Sequence, residues 1–125
     1  MLSPDEFRRI ALGMDGAIES AHMGHPDFRA NGRIFATLHH DHHYGMVKLT
    51  PDHQLTFVRE HPATFAPEKG AWGRSGCTSV RLDSVDEDTL GEAMTLAWQN
   101  TAKTRVARRS STRRSTRSIR RSPTR

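Results

Sequence analysis

A chain of 125 residues has room for one modest core and little else. Its net charge of +5 divides into two opposed parts: residues 1–102 hold nine basic against all 14 acidic residues, a net −5, while Lys103 and nine arginines give residues 103–125 a net +10. The split, a single cysteine and the lack of any run near ~18 apolar residues exclude a uniformly basic nucleic-acid protein, an internal disulfide framework and a membrane-spanning segment.

Ser3-Pro4-Asp5-Glu6 predicts a helix start, with serine as N-cap, proline at the first helical position and glutamate three residues past the cap. Phe7, Ile10, Ala11 and Met14 follow on one face, and Gly13 and Gly16 close the helix. Residues 17–23 carry a weak strand signal. Phe28-Arg29-Ala30 and Arg33–Leu38 flank Asn31-Gly32, a pair that tolerates the positive φ angles of a type I′ turn, so a hairpin is predicted there. Alternation places Ile34, Ala36 and Leu38 on one face of its second strand. Residues 39–43 read as a loop and residues 44–49 as the third strand of a meander.

Thr50-Pro51-Asp52 starts a second helix, with Leu55 and Val58 on its buried side, and His61-Pro62 ends it because the residue before proline avoids helical angles. Residues 63–76 read as a Gly- and Pro-rich loop carrying Trp72 and Arg74. In residues 77–82 Thr78, Val80 and Leu82 face one way and Cys77, Ser79 and Arg81 the other. Ser84-Val85-Asp86-Glu87 is a second capping box, ahead of a helix whose apolar stripe is Leu90, Ala93, Met94, Ala97 and Trp98. The order predicts an α+β domain over residues 1–102, with an antiparallel sheet of about five strands covered by helices on one face and open to water on the other. From 103 onward the charges repel and almost nothing apolar remains to bury, so residues 103–125 are expected to be a disordered arginine- and serine-rich tail.

The blocks His22-Met23-Gly24-His25-Pro26-Asp27-Phe28-Arg29, Gly32-Arg33-Ile34-Phe35-Ala36-Thr37-Leu38 and Met46-Val47-Lys48-Leu49-Thr50-Pro51 resemble the MmcQ/YjbR-like family. The likeness returns in Gly70-Ala71-Trp72-Gly73-Arg74, in Thr78-Ser79-Val80-Arg81-Leu82-Asp83 and in Ala97-Trp98, so it covers nearly the whole of residues 3–100. The resemblance implies a CyaY-like fold, a curved antiparallel sheet backed by helices. It also implies DNA binding, on the strength of fold rather than chemistry. The histidine-rich residues 39–43 and the long arginine tail depart from the family pattern.

Alternation sets Arg29, Lys48 and Arg81 on the open face, with Trp72 and Arg74 arriving from the neighbouring loop. Cations beside an aromatic suit phosphate contact and base stacking, so His25, Arg29, Lys48, Trp72, Arg74 and Arg81 form a candidate nucleic-acid- or anion-binding patch. The blander reading is a solvated face balanced by acids, with Trp72 plugging a sheet edge. Arg108, Arg109, Arg113, Arg114, Arg117, Arg120 and Arg121 in the tail should bind polyanions by counterion release with little sequence preference, unless the tail is an inert extension.

His40, Asp41 and His42 offer metal-ligand chemistry, but their spacing matches no defined zinc motif, and no metal is expected. Cys77 has no evident base beside it, residues 70–76 lack the lysine of a phosphate-binding loop, and no two acids pair into an acid/base site. Neither a cofactor nor catalysis is expected. Residues 1–6 lack the positive start and apolar stretch of a secretory signal, and one cysteine suits a reducing compartment. The function expected is therefore that of a cytoplasmic, monomeric, non-catalytic DNA-binding protein. The alternative is a module for a small anionic metabolite or a protein partner, with the tail incidental.

Overall fold

The computed structural model describes the backbone of residues 2–22, 24–39 and 43–113, and their side chains except at 22 and 103–113. Helix α1 (Pro4–Leu12) begins as its sequence dictates: Ser3 Oγ accepts from Glu6 N–H at 3.1 Å, and Glu6 Oε1 accepts from Ser3 N–H at 2.8 Å. Next come β1 (Ile18–His22), β2 (His25–Ala30), β3 (Arg33–Leu38) and β4 (Tyr44–Lys48), then α2 (Pro51–Glu60), β5 (Phe65–Pro67), α3 (Gly70–Arg74), β6 (Cys77–Arg81) and α4 (Glu87–Arg113). All neighbours in the sheet are antiparallel, in the order β1-β2-β3-β4-β6-β5. Asn31 and Gly32 turn the β2–β3 hairpin with φ of 55° and 75°, both positive as a type I′ turn requires.

The core lies between one face of the sheet and the helices. Phe28, Phe35, Ala36, Leu38, Val47, Phe65 and Val80 are buried against Phe7 and Ala11 of α1, Phe57 of α2, and Leu90, Ala93, Met94 and Ala97 of α4. Phe7 packs 6.0 Å from Phe28, ring to ring, over Gly45, where a β-carbon would strike the Phe7 ring. The Phe57 and Phe65 rings pack at 5.0 Å, tilted by 55°, and hold α2 against the β5 edge of the sheet. Gln54 fastens α2 further: its buried Nε2 lies 2.9 Å from Gly73 O, 3.1 Å from Cys77 O and 3.2 Å from Thr78 Oγ1.

Several expectations need correction. Residues 63–76 form β5 and α3, giving six strands rather than about five. On α2 the buried pair is Gln54 and Phe57, while Leu55 stands 61% exposed. The last helix is capped by Asp86, whose Oδ1 accepts from Thr89 N–H at 2.7 Å; Ser84 instead meets Thr64, hydroxyl to hydroxyl, at 3.0 Å. Cys77 is buried although it alternates away from Thr78, so the sheet is covered on both sides there. The expected tail is a separate matter: α4 is described as far as Arg113, and residues 114–125 lie outside the described residues.

Gly76 sits at φ +116°, where a β-carbon would strike the Leu49 carbonyl. Gly76→Ala should therefore lower the unfolding free energy by about 2–4 kcal/mol in urea titrations. Acid should act through the caps. The Ser3 N–H holds Glu6 below the ordinary carboxylate range, and the Thr89 N–H does the same for Asp86. Groups depressed on folding contribute stability above their unfolded pKa and lose it as pH falls through the folded value. Thermal melts from about pH 6 to about pH 3 should show a falling Tm, and the fall should be smaller in the Glu6→Gln, Asp86→Asn double variant.

Candidate anion-binding site

Residues paired across the ladder share a face, so the register sorts the side chains. Between the pairs Phe28–Ala36 and Arg29–Ile34 the register shifts, and Phe35 is the extra residue of a β-bulge. The bulge lets Phe35 and Ala36 both enter the core. It turns Ile34 to the open face beside Arg29, contrary to simple alternation, and aligns Arg33 with buried Ala30 on the α4 side.

The six expected patch residues do not form one cluster. His25 belongs with His39, Thr37 and Ile34 around a hollow of about 200 Å³ on the open face, toward the Tyr44 end of β4. Arg81 pairs with Tyr44 at that end, while Lys48 pairs with Cys77 at the other, four residues or roughly 13 Å along the strand. Arg29 lies toward the Lys48 end but two strands away, roughly 10 Å. Trp72 and Arg74 lie in α3, which returns to the Lys48 end, where Leu49 N–H donates to Gly76 O at 3.0 Å.

Two of the four lysine and arginine residues in the patch are already engaged. Arg29 grips Asp27 with two hydrogen bonds, Nε to Oδ1 at 2.8 Å and Nη2 to Oδ2 at 3.1 Å, and Asp27 is wholly buried. Arg81 makes the same fork on Asp83 at 3.2 and 3.0 Å and rides 5.9 Å over the Tyr44 ring. The hydrogen bond to Asp27 raises the Arg29 pKa and that to Asp83 raises the Arg81 pKa, while Arg81 holds Asp83 below the usual carboxylate range.

Among the described residues the nine cations of 1–102 include five without an ion pair: Arg33, Lys48, Arg59, Lys69 and Arg74. Four of these five gather at one end of the sheet, since Lys69 caps α3, Arg74 ends it, Arg33 begins β3 and Lys48 ends β4. A hollow of about 290 Å³ opens there, lined by Arg33, Lys48, Ser75, Ala97, Asn100 and Thr101 with Ile34 and Leu49, and no carboxylate among them. Asn100 Nδ2 donates to Lys48 O at 3.3 Å, and Thr101 Oγ1 accepts from Asn31 at 3.0 Å, so α4 is tied to both strands at the rim. Trp72 stands 68% exposed one turn before Ser75, whose hydroxyl donates to the Trp72 carbonyl at 3.0 Å.

Arg33, Ser75, Asn100 and Thr101 were not expected at the site. A signal existed for one of them: Thr101 is a polar residue four positions after Ala97, where the apolar stripe of α4 would continue. His40, Asp41 and His42 lie outside the described residues. Their neighbour His39 reaches Glu68 Oε2 at 3.4 Å. Two strands separate β3 from β5, so this contact requires the open face to be concave.

An unclosed antiparallel sheet packed against helices defines an α+β protein, and the lining of its hollow at the Lys48 end is cationic with no acid. The chain belongs to the YjbR family, whose family model matches residues 12–100. It is similar in structure to Deinococcus radiodurans protein DR2400, a DUF419-domain protein, with a TM-score of 0.71 and 20% identity, over 82% of this chain and 80% of that one. That likeness concerns the fold. No curated protein matches the chain.

Two outcomes follow from this geometry. Arg29→Met strands the buried Asp27 carboxylate and should destabilise the fold more than Arg81→Met, whose partner Asp83 is half exposed; denaturant midpoints compare them. Burial pushes the Cys77 thiol pKa up, so iodoacetamide should label it far more slowly in native buffer than in urea.

Proposed function

We propose that the protein binds DNA without acting chemically on it, through the Lys48 end of the sheet together with the basic segment that follows the body. The observation that carries this reading is a juxtaposition. Lys48, Arg74 and exposed Trp72 stand where α4 leaves the body at Asn100 and Thr101 and carries on into the arginine-rich sequence. The two parts divide the work. A body of net −5 repels a polyanion at long range, and ten cations from 103 onward supply the attraction. Trp72 offers a flat apolar surface for a base, which favours unpaired nucleotides over duplex. Arg29 and Arg81 serve the fold and contribute little.

The net −5 of the body also supports a second reading, in which a small phosphorylated ligand occupies the cationic hollow and the tail is incidental.

Fluorescence anisotropy with labelled single-stranded DNA tests the proposal. The wild-type affinity should fall about 10²–10⁴-fold between 50 and 200 mM salt, as the single-strand counterion slope gives for roughly 6–10 phosphates contacted. A full-length variant with the arginines of 105–125 changed to glutamine should lose most of that slope. Trp72→Ala should cost about 1–3 kcal/mol of binding while leaving the slope intact. Equal binding by wild type, Trp72→Ala and Lys48→Gln would sink the role given to the folded body.

A further inference from the structure

We infer that the hollow between the start of β3, the end of β4 and α4 is a pocket for a terminal phosphomonoester, the phosphate at the end of a nucleic-acid strand or on a free nucleotide. The inference rests on the reading of the protein as an anion binder and deepens it.

The charge of the lining supports the assignment. Arg33 approaches from the α4 side of the sheet and Lys48 from the open side, neither has an ion pair among the described residues, and no acid lines the space. Two cations in a recess match a group carrying close to two negative charges. A terminal phosphomonoester is such a group near pH 7, whereas an internal phosphodiester carries one. Arg33 adds a planar fork that can hold two phosphate oxygens at once.

The polar atoms point the same way. The Ser75 hydroxyl already donates to Trp72 O at 3.0 Å, and the Thr101 hydroxyl to Trp98 O at 2.7 Å. Neither hydroxyl has a proton left for a ligand. Thr101 Oγ1 also accepts from Asn31 at 3.0 Å, so Ser75 Oγ is the acceptor these bonds leave open. Phosphate oxygens must rely on the two cations, while a ligand hydroxyl can donate to Ser75 Oγ. A free nucleoside monophosphate, whose sugar keeps a hydroxyl, can use both walls. A phosphorylated DNA end, whose terminal sugar keeps none, uses the cations alone. At about 290 Å³ the hollow holds a phosphate and part of one sugar. A strand continuing in both directions would have to leave through the walls.

The test uses the full chain in about 300 mM salt, where tail attraction is largely screened. The probes are one short single-stranded oligodeoxynucleotide made with a 5′-phosphate and with a 5′-hydroxyl, a nucleoside 5′-monophosphate, and inorganic phosphate. The 5′-phosphate should tighten oligonucleotide binding about tenfold. Arg33→Gln should weaken binding of the 5′-phosphate form about tenfold more than binding of the hydroxyl form, which removes the preference, and Arg33→Lys should keep part of it. Ser75→Ala removes an acceptor for a ligand hydroxyl and should weaken the nucleoside monophosphate more than inorganic phosphate.

Saturable, Arg33-dependent binding of the monophosphate without any end preference on DNA also supports the pocket and assigns it to a free nucleotide. No end preference together with no saturable monophosphate or phosphate binding overturns the pocket. Trp72-dependent DNA binding in that case leaves the broader reading standing, and loss of all binding at low salt ends both.

Discussion

The extra residue in β3 governs how the two faces of this molecule are divided. Without the bulge at Phe35, strict alternation would bury either Phe35 or the pair Ile34 and Ala36, and Arg33 would change sides with them. With it, Phe35 and Ala36 both fill the core under α4, Ile34 joins the open face, and Arg33 stands beside Ala97 and Asn100. The cationic hollow exists because one strand changes phase partway along its length. A bulge that re-aims a side chain beside a functional surface is a recurrent use of this irregularity.

Charge is the second organising constraint. Each ion-paired arginine of the body answers a local acid: Arg8 meets Asp5 and Glu19, Arg9 meets Glu87, Arg29 meets Asp27, and Arg81 meets Asp83. Pairing of this kind removes a cation from the pool available to an anion, because a second anion would have to compete with a forked carboxylate. The cations left over are concentrated by position, not by number. A body that is acidic overall thus keeps one basic end.

The helix starts at Ser3 and Thr50 and the turn at Asn31-Gly32 were legible in the sequence because capping and turn chemistry are local. The family resemblance, and with it the α+β class, was legible too. What depended on distant partners was not. A three-residue β5 and a five-residue α3 have almost no pattern of their own and are held by Val80 across the ladder and by the Gln54 amide. The sequence points to Ser84 as the cap of the last helix, but the cap is Asp86, two residues later, while Ser84 is taken up by Thr64 across the fold. The alternation rule that set Arg29 on the open face sets Asp27 there as well, two residues earlier. Their pairing could have been read by applying the rule to the acids. The bulge left no mark in the pattern, and with it went Arg33.

The sheet has two chemically different ends. Carboxylates whose proton affinity is lowered by folding cluster at the Tyr44 end: Asp83 follows β6, Asp86 caps α4, and Glu6 opens α1, whose Leu2 bonds to Leu82. The Lys48 end is fastened instead by the Gln54 amide, by Asn31 and Asn100 on α4, and by backbone bonds such as Leu49 to Gly76. Amides do not titrate in the physiological range. Mild acid therefore acts on the helix caps at the end that carries no recognition chemistry, while the amide and backbone bonds that brace the rim of the hollow keep their partners.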